Sequence, residues 1–217
     1  MSNEAASQSG VRVPEFGHRR NFRSHTVSYL QHPIDKFLPA ATPGLRILDI
    51  GCGNGFWAGE MVSRGFNVVG IDPSNEGITI AREANPSARF EVMEASSDPL
   101  PQLGESPFDV VMSMEVIEHV YLPRIWASAC YHALKPGGRL ICSTPYHGYL
   151  KNLVLSLGNL WDRHASPLWD GGHIKLWSRQ TLGYLLKEAG FVNLQFAGAG
   201  RYPYLWKSMV FAADRPS

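Results

Sequence analysis

Residues 47–55 read ILDIGCGNG. The run over 45–50 is short and apolar, the pattern of a strand buried on both faces. GCGNG (51–55) follows as a glycine-rich loop, and FWAGEMVSRG (56–65) continues as a helix capped by a glycine. Gly51, Gly53 and Gly55 let the backbone turn tightly and approach a ligand closely. A ligand bound there would lie at a helix N-terminus, outside the carboxyl end of a strand. Two carboxylates mark the same place: Asp49, just before the glycines, and Asp72, 21 residues after Gly51 at the end of the next apolar run.

Outward from this unit the pattern is regular. Strands are expected at 67–72, 89–94, 108–114 and 139–144. Helices are expected at 74–85, where Ser74 can cap, and at 122–134, stopped by KPGG (135–138). Strand and helix alternate five times, which signals right-handed crossovers on a parallel sheet. Beyond residue 145 the order changes to a helix over 149–161, an aromatic-rich loop over 165–177 and a helix over 178–190. Two closing strands follow, over 191–200 and 205–214. The expected architecture is α/β: a Rossmann-like sheet of seven strands, mostly parallel with an antiparallel C-terminal strand. It forms a single domain over 15–217, behind a disordered tail at 1–14. Residues 15–40, a turn with one or two short helices, and 146–177 are expected as lid elements.

A chain of 217 residues accommodates one such domain and leaves little for a second. The formal net charge is +1, so no global field invites nucleic acid or an anionic membrane. Cys52, Cys130 and Cys142 form no CxxC pair, and three widely spaced cysteines fit a reducing compartment. The polar start MSNEAASQSG lacks the apolar core of a signal peptide, and no run approaches the roughly 20 apolar residues of a membrane span. The expectation is a cytoplasmic protein with a small-molecule substrate, no nucleic-acid partner and an open oligomeric state.

The loop admits two cofactors. A dinucleotide fingerprint GxGxxG would need glycine at 56, where Phe56 stands. Asp49 would repel a pyrophosphate and attract an ammonium or sulfonium group, which favours S-adenosylmethionine over NAD. Asp72 is placed to accept both hydroxyls of a ribose. The set ILDIGCGNG, Asp72, FDVV (108–111) and LKPGG (134–138) resembles the class I S-adenosylmethionine-dependent methyltransferases over about residues 40–145. The resemblance implies that Asp49 lies near the methionine amino end of the cofactor. It implies close backbone approach at Gly51 and Gly53, ribose binding at Asp72, and Met114 against the methionine part. Glu94 and Ala95 stand where the family often has Asp-Ala beside the adenine, so Glu94 is a departure.

MEVIEHV (114–120) puts Glu115, Glu118 and His119 at the end of the fourth strand. On a helix starting there, each residue advances about 100°, which would gather all three side chains on one face. Such a set repels, shares protons or holds a cation. ExxEH followed by a later His173 resembles two groups within the class, the ubiquinone-biosynthesis O-methyltransferases and the 2′-O-methyltransferases of small RNAs. In the RNA group such residues hold a divalent metal, and carried over, Glu115, Glu118, His119 and His173 would be its ligands. Imidazole and carboxylate ligands suit zinc, manganese, iron or cobalt better than magnesium. A metal-free reading makes His119 the catalytic base, with His147 in TPYHGY (144–149) as the next choice, and a structural reading leaves the acids at a helix start. The expected activity is O-methylation of a small aromatic or hydroxylated molecule. The alternatives are RNA 2′-O-methylation, N- or C-methylation, and a non-catalytic cofactor-binding module. The aromatics of the two lid segments, Phe16, Phe22, Tyr29, Tyr146, Tyr149, Trp161, Trp169 and Trp177, suit an apolar acceptor.

Overall fold

The computed structural model describes residues 27–169 and 171–217. The expected tail and the wall residues Phe16 and Phe22 lie outside the described residues. In chain order the elements are α1 (Val27–Phe37), β1 (Arg46–Ile50), α2 (Phe56–Ser63), β2 (Asn67–Asp72), α3 (Asn75–Ala84), β3 (Arg89–Val92), α4 (Leu100–Leu103) and β4 (Phe108–Met114). A single 3-10 turn at Ile117–His119 follows. Then come α5 (Pro123–Ala133), β5 (Leu134–Pro145), α6 (Tyr149–Leu157), α7 (Trp161–Ala165), α8 (Arg179–Glu188), β6 (Val192–Ala199) and β7 (Ser208–Asp214).

The seven strands form one sheet in the order β3-β2-β1-β4-β5-β7-β6. β1 pairs in parallel with β2 and β4, β2 with β3, and β4 with β5, while β7 runs antiparallel to both β5 and β6. The chain leaves β1 toward β3 on one side and returns to β4 on the other. The order therefore reverses between β1 and β4, and open α/β sheets bind their ligands at the carboxyl ends of the strands at such a switch point.

Alternating strand residues supply two cores. On one face Leu30, Ile34 and Phe37 of α1, Met61 of α2 and Ile78 of α3 pack on Ile47, Val68, Val110 and Ile141. On the other, Trp126 and Cys130 of α5 and Leu182 and Leu186 of α8 pack on Leu48, Ile71, Val111 and Leu140. Covering both faces is what lets a parallel sheet read as unbroken apolar runs in sequence. The caps hold as well. Ser74 accepts the Gly77 N–H at 3.0 Å, and Ser178 forms a reciprocal capping box with Thr181.

Three expectations change. KPGG does not separate helix from strand. β5 begins at Leu134, and the pairing slips there: Phe108 opposes Leu134, yet Val110 opposes Arg139. Gly137, at φ +75°, absorbs the irregularity. The helix expected over 149–161 ends at Leu157, and the chain re-enters a helix at Trp161. No helix starts at Met114, and Glu115 instead takes φ +56°, a left-handed backbone rare outside glycine. That turn removes Glu115 from the face that carries Glu118 and His119. Among the described residues no helix is long and apolar enough to cross a membrane.

Candidate active site

The glycine loop leaves the carboxyl end of β1 and leads into α2. Gly51, Gly53 and Gly55 all have positive φ. The Gly51 and Cys52 N–H groups donate to the Ile71 carbonyl at 2.8 and 3.0 Å, which ties the loop to β2. Asp72 accepts the Gly53 N–H at 2.9 Å and the Ser74 N–H at 2.9 Å, so it shapes the loop and the start of α3 at once. A Cβ on Gly51 would lie 2.5 Å from Val116 Cγ2, on a backbone at φ +78°. Gly51→Ala should therefore cost about 1–3 kcal/mol of stability. A thermal melt of the ligand-free protein checks this, and an unchanged melting temperature contradicts the tight packing.

Asp49 is buried, and burial followed by the neighbouring Asp72 pushes its carboxyl up to about 7. Met114 is buried at the end of β4, across the β1–β4 boundary from the loop. Glu94 is exposed and Ala95 half-buried just past β3. All the sequence-derived cofactor residues thus fall at the carboxyl edge of the sheet.

Beyond Met114 the two glutamates part. The Glu115 carboxylate turns to the ends of β5 and β7, where it accepts from Ser143 Oγ at 2.7 Å and Ser208 Oγ at 2.9 Å. Its backbone N–H donates to the Ser143 carbonyl and Oγ at 3.1 and 3.0 Å. Burial pushes its carboxyl up to about 7, against the two serine hydroxyls and the Lys151 charge. Lys151, 8% exposed, donates to the Lys207 carbonyl at 3.3 Å, and burial pulls its amine down to about 8. Ser143, Ser208 and Lys151 escaped the sequence reading. The first closes an apolar strand and was legible as an edge residue, whereas Ser208 lies 93 residues from Glu115 and carried no signal.

Glu118 goes the other way. It is 1% exposed, and its Oε2 accepts from Thr144 Oγ1 at 3.0 Å. Its Oε1 is buried and has no hydrogen-bond partner among the described residues. His119 Nε2 and His173 Nε2 each lie 4.0 Å from that oxygen. Ligand atoms of Glu118, His119 and His173 all lie within 4.8 Å of one another. Burial, then Glu115, raises the Glu118 carboxyl well above the ordinary range. Burial lowers both imidazoles, His173 to about 4 with help from His119, His164 and Lys151. Two neutral imidazoles and one unsatisfied carboxylate oxygen form a donor set that fits a divalent cation. An orphaned buried acceptor otherwise costs about 1–3 kcal/mol or more. The sequence expectation named four ligands, and the structure gathers three. Glu115 is held away by its left-handed backbone and by two serines.

His147 follows β5 and is 5% exposed. It stacks on Trp161 of α7 with centroids 6.1 Å apart and meets His164 edge-on at 5.2 Å. Burial first, then the charge of Lys151, lowers it to about 4. Of the expected aromatic wall, Tyr146 and Trp177 join the core and bridge to each other. Tyr149 and Trp169 are exposed, and Trp169 lies edge-on to both His119 and His173 at 5.8 and 5.7 Å.

Comparison with known proteins bears on the family and on the fold. A family model for the methyltransferase domain matches residues 19–196. A ubiquinone biosynthesis O-methyltransferase of Cereibacter sphaeroides is 33% identical over 185 residues, which cover 83% of this chain and 74% of that protein. One from Roseobacter denitrificans is 44% identical over 115 residues, 51% of this chain and 46% of that one. Among solved structures, the YcgJ protein of Bacillus subtilis superposes with TM-score 0.67 at 15% identity, covering 87% of this chain and 98% of that one. Phosphoethanolamine N-methyltransferase 2 of Haemonchus contortus, in complex with S-adenosyl-L-methionine, gives 0.62 at 19% identity, covering 86% of this chain and 52% of that one. These two likenesses carry the fold alone. With a family model over most of its length and a relative above 30% identity, the chain belongs to the class I S-adenosylmethionine-dependent methyltransferases.

Proposed function

We propose that this enzyme moves the methyl group of S-adenosylmethionine to an oxygen of a small hydroxylated aromatic molecule. Glu118, His119 and His173 hold a divalent cation on the acceptor side. The observation that carries the reading is the buried Oε1 of Glu118, without a partner and 4.0 Å from two imidazole nitrogens. The printed name of the Cereibacter relative, a ubiquinone biosynthesis O-methyltransferase, supports a hydroxylated aromatic acceptor. Near-neutral net charge counts against RNA, and three free buried cysteines fit a cytoplasmic location.

The donor lies across the carboxyl ends of β1, β2 and β4 in this reading. Asp49 sits beside its charged methionine end, the amides of Gly51 and Gly53 come close to it, and Asp72 takes the ribose. Met114 borders the sulfonium side, and Glu94 and Ala95 stand beside the adenine. Transfer is an in-line displacement: the acceptor oxygen forms a bond to the methyl carbon as the carbon–sulfur bond breaks and its electron pair returns to sulfur. Holding the two reactants in line supplies several kcal/mol of the acceleration. When bound, a divalent cation lowers the pKa of a coordinated hydroxyl and orients it. The acceptor's proton must leave before or during attack. With His119 in the cluster, His147 receives it in this reading, neutral at physiological pH because burial, then the Lys151 charge, holds its pKa down. The walls of 146–177, with Trp161 and Trp169, screen the acceptor from water.

His147→Ala should lower kcat about 100-fold, the low end for a positioned base, and leave S-adenosylhomocysteine binding intact. A full-rate variant would remove His147 from the reaction. The direct test of the activity uses labelled S-adenosylmethionine with a panel of catechols, and short single-stranded RNA in parallel. Methyl transfer to a catechol oxygen supports the reading, and label in RNA alone overturns it.

A further inference from the structure

Gly171, Gly172, Ile174 and Lys175 are bonded to the cluster through the main chain, and those bonds dictate a protonation pattern. His119 Nδ1 lies 2.8 Å from the Gly171 carbonyl and 3.2 Å from the Gly172 carbonyl. A carbonyl oxygen carries no proton, so Nδ1 must be the donor. In a neutral ring the lone pair then sits on Nε2, the nitrogen 4.0 Å from Glu118 Oε1. The loop is pinned from the opposite side too. The main-chain oxygen of Glu118 accepts the N–H groups of Ile174 and Lys175 at 3.0 and 3.1 Å, which sets His173 beside the same carboxylate. Gly171 has φ +76°, and a Cβ on Gly172 would lie 2.9 Å from the Trp169 carbonyl. Glycines here let the two carbonyls reach the ring.

We infer that Gly171 and Gly172 are positioning residues: their carbonyls fix His119 as the Nδ1–H tautomer, so that the ligand nitrogens are aimed before any cation arrives. The inference rests on reading the cluster as the acceptor-side centre, and it assigns the loop a task that neither histidine performs alone. A ring that hydrogen-bonds through its other nitrogen is held in orientation and becomes a better electron donor, and losing such a partner typically costs about 10–100-fold in metal affinity.

The test uses the full chain with 15N-labelled histidine and long-range proton–nitrogen spectra, without metal, at pH 7.5. His119 is expected to show a protonated Nδ1 and an unprotonated Nε2. An Nε2–H or doubly protonated His119 in the wild-type protein overturns the inference, whatever any variant does. Gly172→Ala should move His119 toward mixed tautomers and weaken cobalt(II) binding about tenfold. S-adenosylhomocysteine affinity should stay constant. A Gly172→Ala protein that folds, binds S-adenosylhomocysteine and keeps the wild-type tautomer and cobalt affinity also counts against it. If the Nδ1–H tautomer is present but cobalt(II) fails to bind the wild-type protein, the positioning inference stands and the cation reading falls.

Discussion

Glu118→Gln is expected to lower methyl transfer at least about 100-fold, close to 3 kcal/mol of transition-state stabilisation. It should also weaken zinc binding at least about 100-fold, while S-adenosylhomocysteine binds as in the parent. Glu115→Gln should leave zinc affinity within about threefold, a difference of roughly 0.7 kcal/mol. The contrast follows from where the two carboxylates point. Glu118 offers an unpartnered oxygen to two imidazoles, whereas both oxygens of Glu115 already accept hydroxyls from Ser143 and Ser208. Calorimetric titration of both variants with zinc and with S-adenosylhomocysteine separates the outcomes. Equal zinc losses in both would return Glu115 to the ligand set, and loss of S-adenosylhomocysteine affinity in Glu118→Gln would move the cluster to the donor side.

Asp49→Asn should act in opposite directions on stability and on binding. The folded-state carboxyl sits at about 7, against an ordinary value of 3.8. The folded, ligand-free protein therefore holds a proton that the unfolded chain has released between about pH 4 and 7. Stability from this group is greatest at low pH and declines as pH rises through that window. The asparagine variant lacks the titration, so its melting temperature without ligand at pH 8 should exceed that of the parent. A cationic donor reverses the balance by favouring the ionised carboxylate. Binding at pH 6 should then release a proton, visible as a dependence of the binding heat on buffer ionisation enthalpy. The variant should bind S-adenosylmethionine at least about tenfold more weakly, a loss of about 1.4 kcal/mol. Unchanged affinity together with no proton release would take Asp49 away from the donor.

The parallel sheet, and the glycine loop and acids at its carboxyl edge, were legible in sequence because each rests on local patterns. Apolar runs of strand length, helices closed by Ser74, Ser178 and glycines, and a glycine loop bracketed by Asp49 and Asp72 all specify backbone within a few residues. The reading faltered where neighbours in space decided the outcome. Residues 135–138 carry the signature of a helix stop, yet pairing with β4 draws them into a strand with slipped register. Glu115 and Glu118 are equivalent by spacing, and a left-handed turn stabilised by a serine on β5 and another on β7 makes them different. His173 could be named only through a resemblance. What places it is a main-chain bond pattern to Glu118 across more than fifty residues, which no periodicity encodes.

The most direct measurement is a crystal of the protein grown with S-adenosylhomocysteine and zinc, with diffraction recorded on both sides of the zinc absorption edge. An anomalous peak roughly 2 Å from Glu118 Oε1, His119 Nε2 and His173 Nε2, facing the cofactor's sulfur across the crevice, is the expected result. A crevice that holds the cofactor while the three side chains close on one another with no peak between them would contradict it.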